Sequence, residues 1–378
     1  MITPADLAKR FIPFSSLRSS TEAFIDYCLP ESKPKFNYAL VGPGVSQNPD
    51  QPVNLREPHG FQVGGVSMPN GKTNPAHMHF TCEVFICTRG RWRIEWGFNP
   101  EVSHAEVGDR DIVSVPTWVY RGFTNVGVDD GFMFTALGGD HTGGVLWGPT
   151  TVAAAQRQGV FLTRDYRMVD TTRGEARPRD DELFQPMSAE EISALRVWTA
   201  EQMARRIVRF ADLQWSRQGL LDSALAGCGA QLAAVVGLGM AEDRELQAQV
   251  SNAHGVSIEW LRVPPGGQVS RHRLQERQVL IVRHGQVELR VDSTEGPLAT
   301  RMCGTDTAWD SFAVPGGEWR SLHNRGADEA LLLVMTAGDH RKRITWDDAV
   351  QRQAHAAGWL HDANGYVALR RFVERAQV

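Results

Sequence analysis

Residues 71–90 read GKTNPAHMHFTCEVFICTRG, and a matching segment lies later in the chain. Residues 266–285 read GGQVSRHRLQERQVLIVRHG, so the glycine at each end and the first histidine recur 195 positions further on. A second pair follows in the same order, with PTWVYRGFTN at 116–125 and PGGEWRSLHN at 315–324, 199 positions apart. Because self-similarity at a nearly fixed offset indicates an internal duplication, the 378 residues are predicted to hold two copies of one domain.

The repeated segments have the composition of β-strands. Residues 83–88 and 278–283 are short and rich in β-branched side chains, and each ends near a glycine turn. Residues 92–96 and 287–291 alternate bulky apolar with polar side chains, as a strand with one buried face does. Many short strands separated by glycine and proline predict an all-β fold, with a double-sheet β-barrel or jelly roll in each copy.

Helices are predicted outside the repeats, where capping signals occur. Pro4 follows the capping residue Thr3, residues 188–191 form a capping box, and residues 345–348 are expected to cap a helix that ends near Gly358. We interpret these helices as peripheral elements that cover sheet edges or build a dimer. The predicted segments are an N-terminal helical extension, a first barrel, a helical linker, a second barrel and a C-terminal helical segment, at residues 1–35, 36–165, 166–235, 236–345 and 346–378.

The composition argues against several classes of protein. With 42% hydrophobic and 22% charged residues and a net charge of −4, the chain has a globular composition and lacks the basic excess of a nucleic-acid-binding protein. No apolar run approaches the roughly 20 residues of a membrane span, and the N-terminus carries no recognisable secretory signal. The five cysteines form no CxxC pair, which indicates reduced thiols and a cytoplasmic location.

Three potential metal ligands lie close together in the first copy. His77 and His79 are two residues apart, so both side chains are expected on one face of a strand, pointing into the barrel. Glu83 has the same parity and can meet them if the intervening turn is short. Two imidazoles and a carboxylate form the facial ligand set of non-haem Fe(II), which we favour, and also suit Mn, Zn or Ni. One divalent ion is therefore predicted in the first barrel.

The pattern G-x5-H-x-H-x3-E-x6-G, followed by P-x-G-x2-H-x3-N, is the two-part motif of the cupin superfamily. Residues 71–90 match its first part at every defining position. The chain thus resembles a bicupin, in which two jelly-roll barrels would cover most of residues 36–345. In cupins the two histidines and the glutamate of the first part bind a metal, and the resemblance implies that role for His77, His79 and Glu83.

Arginine stands where the cupin motif has its fourth ligand. Arg121 and Arg320 take the place of the histidine in the second part of the motif. A guanidinium stays protonated and offers no lone pair, so neither arginine can bind a metal. Two roles are open for Arg121. It either clamps an anionic substrate beside the metal or pairs with Glu83 and replaces the charge of the metal.

The second copy departs further from the motif. His272 is kept, but Leu274 and Gln278 stand where the second histidine and the glutamate are expected. Leucine cannot bind a metal and neutral glutamine is a weak ligand, so the second barrel is predicted to be metal-free. Glu276 shares the parity of His272 and is the one residue that could restore a site there.

Aromatic residues flank the predicted site. Phe85 is expected to face inward with Glu83 and, together with Trp118 and Arg121, to contact the substrate. Tyr120 is a candidate proton donor.

The stretch from Pro116 to Trp118 resembles gentisate-type dioxygenases. Likeness to gentisate and quercetin dioxygenases implies O2-dependent oxidation of a small anionic substrate, aromatic or enolic. The alternatives are a redox-neutral metal-dependent isomerase or lyase, and a non-catalytic bicupin that binds a small molecule. Homo-oligomerisation is compatible with each of them.

Overall fold

The computed structural model describes residues 2–98, 102–251 and 253–377. The chain divides into two compact units: a first unit, Arg18–Phe210, and a second unit, formed by Met1–Leu17 and Ala211–Val378. Both consist mainly of antiparallel strands with a few short helices, which confirms the predicted fold class. The five segment boundaries remain predictions. Within the described ranges, every helix is too short or too polar to traverse a bilayer.

The first unit contains an eight-stranded and a five-stranded sheet. In order of pairing, the larger sheet consists of Ile207–Val208, Ile112–Val115, Glu83–Arg89, Gly131–Gly138, Phe61–Met68, Phe36–Val41 and Ser19–Ser20, with Val53–Leu55 parallel to Phe36–Val41. The smaller sheet consists of Val145–Trp147, Thr73–His79, Arg121–Asn125, Trp92–Trp96 and Ser103–Val107. A separate hairpin joins Val160–Leu162 to Met168–Asp170. The helices are Pro149–Arg157, Ala189–Ser193 and Ala200–Ala204.

The chain crosses between these two sheets directly after the second histidine of the motif. Strand Thr73–His79 belongs to the five-stranded sheet, and the next strand, Glu83–Arg89, belongs to the eight-stranded sheet. Residues 80–82 form the short link. The imidazoles of His77 and His79 therefore come from one sheet and the Glu83 carboxylate comes from the other.

Aromatic rings from both sheets fill the interior of the first unit beyond this crossing. The ring of Phe123 packs edge-on against Phe85 and Trp92, with centroid distances of 5.3 and 5.9 Å. All three side chains are buried. Burying an aromatic or large aliphatic side chain contributes about 1.5–3 kcal/mol, so this cluster is a major source of stability and fixes the sheets around the histidines.

The second unit is built around a ten-stranded sheet. Its main path is Gln231–Val236, Val256–Val263, Ala330–Ala337, Gln278–Ser293, Arg320–His323, Gln268–Arg273 and Thr345–Trp346; Phe11–Ile12, Ser311–Val314 and Gly296–Gly304 pair beside that path. A hairpin joins Trp359–His361 to Val367–Leu369, and the helices are Pro4–Ala8, Asp348–Ala356 and Arg370–Val373. The single long strand Gln278–Ser293 spans both strands predicted for this segment.

The three predicted helix starts are present. The hydroxyl of Thr3 accepts a hydrogen bond from the first turn of Pro4–Ala8, and Ser188 forms the expected capping box at the start of Ala189–Ser193. The third helix, Asp348–Ala356, begins at the end of the segment 345–348, and its capping residue is Asp347. Side-chain acceptors at these positions satisfy backbone N–H groups that have no partner within the helix.

The asparagine that ends the second motif has the same structural role in both units. The Asn125 side-chain nitrogen donates to the carbonyl oxygens of Met68 and Asp129, at 2.8 and 2.7 Å, and its oxygen accepts from Gly127. Asn324 makes the equivalent bonds, to Val263, Asp328 and Gly326. A buried amide with these three bonds ties the turn to a neighbouring strand, which explains its recurrence in the duplicated sequence.

Candidate metal centre

His77, His79 and Glu83 meet inside the first unit. All three are buried, and one potential ligand atom from each lies within 4.8 Å of the others. The common parity of the two histidines on strand Thr73–His79, together with the short link to Glu83, places them there. The side chains are thus brought together as the sequence indicates, while their function as ligands remains a prediction.

The spacing of the donor atoms fits a divalent ion. The Nε2 atom of His79 lies 3.4 Å from Oε2 of Glu83. Two donors at right angles around an ion with bonds of 2.0–2.2 Å lie roughly 3 Å apart, so a small contraction would suffice. The second ring nitrogen of His79, Nδ1, is buried and has no hydrogen-bond partner among the described residues.

The ring orientation of His77 leaves one nitrogen for a metal. Its Nδ1 lies 2.9 Å from the carbonyl oxygen of Pro75, which can only accept, and 3.0 Å from the amide nitrogen of Asn74, which can only donate. The two contacts require opposite tautomers. The second unit repeats only the carbonyl contact, at 2.8 Å between Nδ1 of His272 and the oxygen of Ser270. We therefore assign the hydrogen to Nδ1, which leaves the lone pair on Nε2 of His77.

The electrostatic environment of His77 and Glu83 favours the protonation states in which these two side chains bind a metal. Burial, reinforced by His79 and Arg121, lowers the pKa of His77 to about 3, so this imidazole is neutral near pH 7. Burial alone would raise the pKa of Glu83, but the adjacent His79 and Arg121 outweigh it and lower that pKa to about 2. A neutral imidazole and an ionised carboxylate are the metal-binding forms of these side chains.

Arg121 lies behind Glu83 and is anchored mainly on the backbone. Its side chain is completely buried. The Nη2 group donates to the carbonyls of Pro116, at 2.8 Å, and Val119, at 3.1 Å, and Nε also donates to Val119. Nη1 lies 3.4 Å from Oε2 of Glu83. This contact corresponds to the pairing of Arg121 with Glu83, which is one of the two roles considered for this arginine. The other role, as a clamp for an anionic substrate, remains a prediction.

A small cavity lies beside the three side chains. Its volume is about 90 Å³, and its described lining includes His77, His79 and Glu83. The polar part of the remaining wall comprises Asn37, Ser46, Gln51, Gln62, Asn74 and Thr135. Sequence reasoning missed these residues, because polar residues on strands were read as facing outward and Gln51 lies in a loop without periodicity. The arrangement can hold one ion and a ligand of few atoms.

The other residues predicted to contact substrate lie elsewhere in the first unit. Phe85 belongs to the aromatic core, and neither it, Arg121, Trp118 nor Tyr120 is among the described residues that line the cavity. The side chain of Trp118 is 48% exposed and packs against Phe80. Trp118 and Tyr120 instead line a separate groove of about 750 Å³. Their predicted roles in catalysis and substrate binding remain predictions.

The corresponding residues of the second unit point in different directions. The amide nitrogen of Gln278 donates to the hydroxyl of Thr336, at 2.9 Å, and Glu276 binds Nε2 of His340, also at 2.9 Å. Among the described residues, His77, His79 and Glu83 form the one group of three His, Cys, Asp or Glu side chains close enough to hold a metal. That the second barrel is metal-free remains a prediction.

Arg320 is buried like Arg121 but has fewer partners. Its Nη1 donates to the carbonyl of Pro315 at 3.2 Å, which repeats the contact between Arg121 and Pro116. Its Nε and Nη2 are buried without a hydrogen-bond partner among the described residues. Burial lowers the pKa of Arg320 to about 10, against the opposing effect of Glu276. The shared contact indicates that arginine recurs here for a structural reason inherited from the duplication.

Replacing Glu259 by glutamine is expected to flatten the pH dependence of the stability of the second unit. Glu259 is fully buried, and this burial raises its pKa from an ordinary 4.5 to about 8, against the effects of the Met240 N–H and Lys342. Between these values the folded chain holds a proton that the unfolded chain has lost, so stability falls as pH rises. The amide oxygen introduced by the substitution would still accept from the Met240 N–H.

The measurement is the melting temperature of wild type and Glu259→Gln from about pH 4.5 to pH 8, the window set by the two pKa values. The exposed residue Glu295 supplies the control, Glu295→Gln, whose profile should follow wild type. Identical profiles for wild type and Glu259→Gln would show that Glu259 is ionised in the folded protein.

No protein-family model and no curated protein sequence matches the chain. Solved structures match at the level of the fold, and they define the architecture: the chain has a bicupin fold, as the resemblance of residues 71–90 implied.

Three of these structures illustrate the match. The chain is similar to Lactobacillus farciminis oxalate decarboxylase in a formate complex, with 9% identity, a TM-score of 0.53 and coverage of 89% of this chain and 88% of that one. Bacillus subtilis oxalate decarboxylase, in a structure concerned with its Mn(II) centres, has 12% identity, a TM-score of 0.52 and coverage of 89% and 79%. Hazelnut (Corylus avellana) vicilin has 10% identity, a TM-score of 0.51 and coverage of 89% and 87%. Structural matches at such low sequence identity establish the fold and leave the activity open.

Proposed function

We propose that the protein is a metal-dependent bicupin enzyme that acts on a small anionic substrate, with one divalent ion held by His77, His79 and Glu83. The observation that carries this proposal is the convergence of the three buried side chains, within 4.8 Å, beside a small cavity. When bound, the ion would supply open coordination positions and stabilise negative charge on a substrate oxygen. The carbonyl of Pro75 orients His77, and Arg121 contacts the Glu83 carboxylate from behind.

The identity of the metal is the finer part of the proposal. Two imidazoles and one carboxylate suit Fe(II), which the sequence led us to favour, and equally Mn. The Mn(II) centres named for Bacillus subtilis oxalate decarboxylase support Mn as a candidate of equal rank. Zn and Ni complete the set to be tested.

Two reaction types are candidates. Oxidation by O2, the reaction implied by likeness to dioxygenases, remains the first. Redox-neutral cleavage or isomerisation of a short acid is the second, and the match to oxalate decarboxylases supports it. The cavity supports a short substrate for either one. At about 90 Å³ it is smaller than the roughly 150 Å³ that admits a benzene ring, which favours the enolic or aliphatic acids over the aromatic ones.

The cellular setting belongs to the proposal as well. None of the five cysteines forms a disulfide, and all lie within the described residues. Free thiols fit a reducing compartment, which supports the cytoplasmic location expected from the sequence.

The test begins with metal analysis of the purified full-length chain, which is expected to hold one ion per chain. Reconstitution with Fe(II) or Mn(II) then precedes a panel of short keto, hydroxy and dicarboxylic acids, assayed with and without oxygen. Oxygen consumption indicates the dioxygenase, and turnover that persists without oxygen indicates the lyase or isomerase. Tight ligand binding without turnover under both conditions would indicate the non-catalytic alternative, and a chain that binds no divalent ion would contradict the whole proposal.

A further inference from the structure

One part of the cavity wall carries a polar pair that the proposed metal site does not use. Asn37 lies on strand Phe36–Val41 and Gln51 lies in the loop before Val53–Leu55; both line the cavity. Both belong to the region around the eight-stranded sheet, whereas the two histidines come from the five-stranded sheet. A ligand within the cavity is therefore bordered by the metal-binding cluster and by this amide pair.

The orientation of the Gln51 amide is fixed by the backbone. Its Nε2 donates to the main-chain carbonyl of Asn37 at 3.0 Å, and because a carbonyl can only accept, the other end of the amide must be the oxygen. That oxygen, Oε1, is buried and has no hydrogen-bond partner among the described residues. Gln51 is 5% exposed, so bulk water does not satisfy this acceptor.

Asn37 supplies the complementary group. Its side-chain nitrogen, Nδ2, is likewise buried without a hydrogen-bond partner among the described residues. The pair therefore offers one unused acceptor and one unused donor on residues that are already hydrogen-bonded to each other. Leaving a buried polar group unpaired costs about 1–3 kcal/mol. A group that donates to Gln51 and accepts from Asn37 would recover both costs.

The charges around the cavity limit the substrate to one negative charge. No lysine or arginine is among the described residues of the cavity lining. Two buried cations of the same unit have other partners: Lys35 donates to Asp26 and Asn74, while Arg121 faces Glu83 and backbone carbonyls. The metal can neutralise one carboxylate, but a second would be buried without a counter-charge, which costs several kcal/mol.

We propose that the substrate is a short monoanionic acid whose other end is a neutral group that both donates and accepts hydrogen bonds, such as a hydroxyl or a carboxamide. Gln51 and Asn37 bind that group and determine specificity. This inference rests on the proposed function, because the metal is what receives the carboxylate. It distinguishes the protein from an enzyme built for a dicarboxylate dianion.

The experiment compares three acids of equal chain length on the metal-loaded full-length protein: 3-hydroxypropanoate, propanoate and malonate. Dissociation constants are measured by calorimetry, so turnover is not required. Wild type is expected to bind 3-hydroxypropanoate about tenfold more tightly than propanoate, since one to two net hydrogen bonds are gained. Malonate, the dianion, is expected to bind more weakly than 3-hydroxypropanoate.

Two variants test the assignment to named residues. Gln51→Leu and Asn37→Ser should each reduce the preference for 3-hydroxypropanoate over propanoate severalfold. The matched control is Gln278→Leu, which removes a buried glutamine from the second unit and should leave all three affinities unchanged. Melting curves identify any variant that fails to fold. If one of the two variants does not fold, the affinities of the other test the assignment.

The possible failures are distinguishable. If wild type binds a metal but prefers malonate, or if Gln51→Leu and Asn37→Ser keep the full preference, this inference is overturned and the proposed metal site stands. If the metal analysis finds no binding of a divalent ion to wild type, both proposals fail together.

Discussion

Replacing Glu83 by glutamine is expected to weaken the binding of a divalent ion by at least about 100-fold, since loss of a mere supporting residue already costs 10–100-fold. Glutamine has nearly the same size, and its amide oxygen can still accept from Arg121 across the present 3.4 Å contact. It lacks the negative charge, however, and would leave two imidazoles beside a buried guanidinium with no carboxylate to bind the ion. The measurement is a titration of the metal-free protein with Mn(II), followed by electron paramagnetic resonance.

The second unit supplies the control for this variant. His272 occupies the position of His77 in the duplicated motif, and its side chain is buried in the same way. His272→Ala should leave the number of bound ions and their affinity unchanged, because metal binding is assigned to the first unit. If Glu83→Gln retains wild-type affinity, or if His272→Ala lowers it as strongly, the assignment of the metal to His77, His79 and Glu83 is wrong.

Replacing Arg121 by methionine is expected to lower the free energy of unfolding of the first unit by about 3–5 kcal/mol, as removal of one partner of a buried charge pair does. The variant would leave the carbonyls of Pro116 and Val119 without their donors and the Glu83 carboxylate without its cation. Because a chain with two units need not unfold in one step, amide hydrogen exchange should follow each unit separately, in the presence of a chelator.

Arg320→Met is the matched variant in the second unit. Arg320 has one described backbone partner, Pro315, and its Nε and Nη2 lack hydrogen-bond partners among the described residues. Because Arg320 has so few hydrogen bonds, its replacement is expected to lower the free energy of unfolding by about 1 kcal/mol or less. Replacement of such buried charges by apolar side chains often leaves stability unchanged. If Arg121→Met and Arg320→Met lower the free energy of unfolding of their units equally, the view that Arg121 is stabilised by its specific contacts is wrong.

The sequence predicted the duplication, the fold and the meeting of His77, His79 and Glu83, because each depends on local rules. Strand periodicity places His77 and His79 on one face, and a short link suffices to bring Glu83 to them. The long strand Gln278–Ser293 shows the limit of such reasoning, since two predicted strands join across the glycine that was read as a turn. Local composition cannot decide whether a chain turns or continues when sheet pairing favours continuation.

The sequence did not predict which residues surround the site. Phe85 has the parity of Glu83 and is buried as expected, but parity cannot tell a cavity wall from a packed core. Asn37 and Gln51 converge on the cavity from segments whose patterns carry no ligand-binding signal. Trp118 adopts a left-handed backbone conformation, with φ of 62°, which is unusual for a bulky residue and which the sequence pattern did not predict.

The chain passes from one sheet to the other between His79 and Glu83, so an ion bound there would have a mechanical role besides a chemical one. A metal bound by all three side chains would act as a cross-link between the two walls of the barrel, made of coordinate bonds instead of a covalent bridge. Its removal would free the walls to separate, so a chelator should loosen the first unit and admit solvent to its interior while sparing the second. Metal supply would then govern how long the folded protein survives as well as how fast it works.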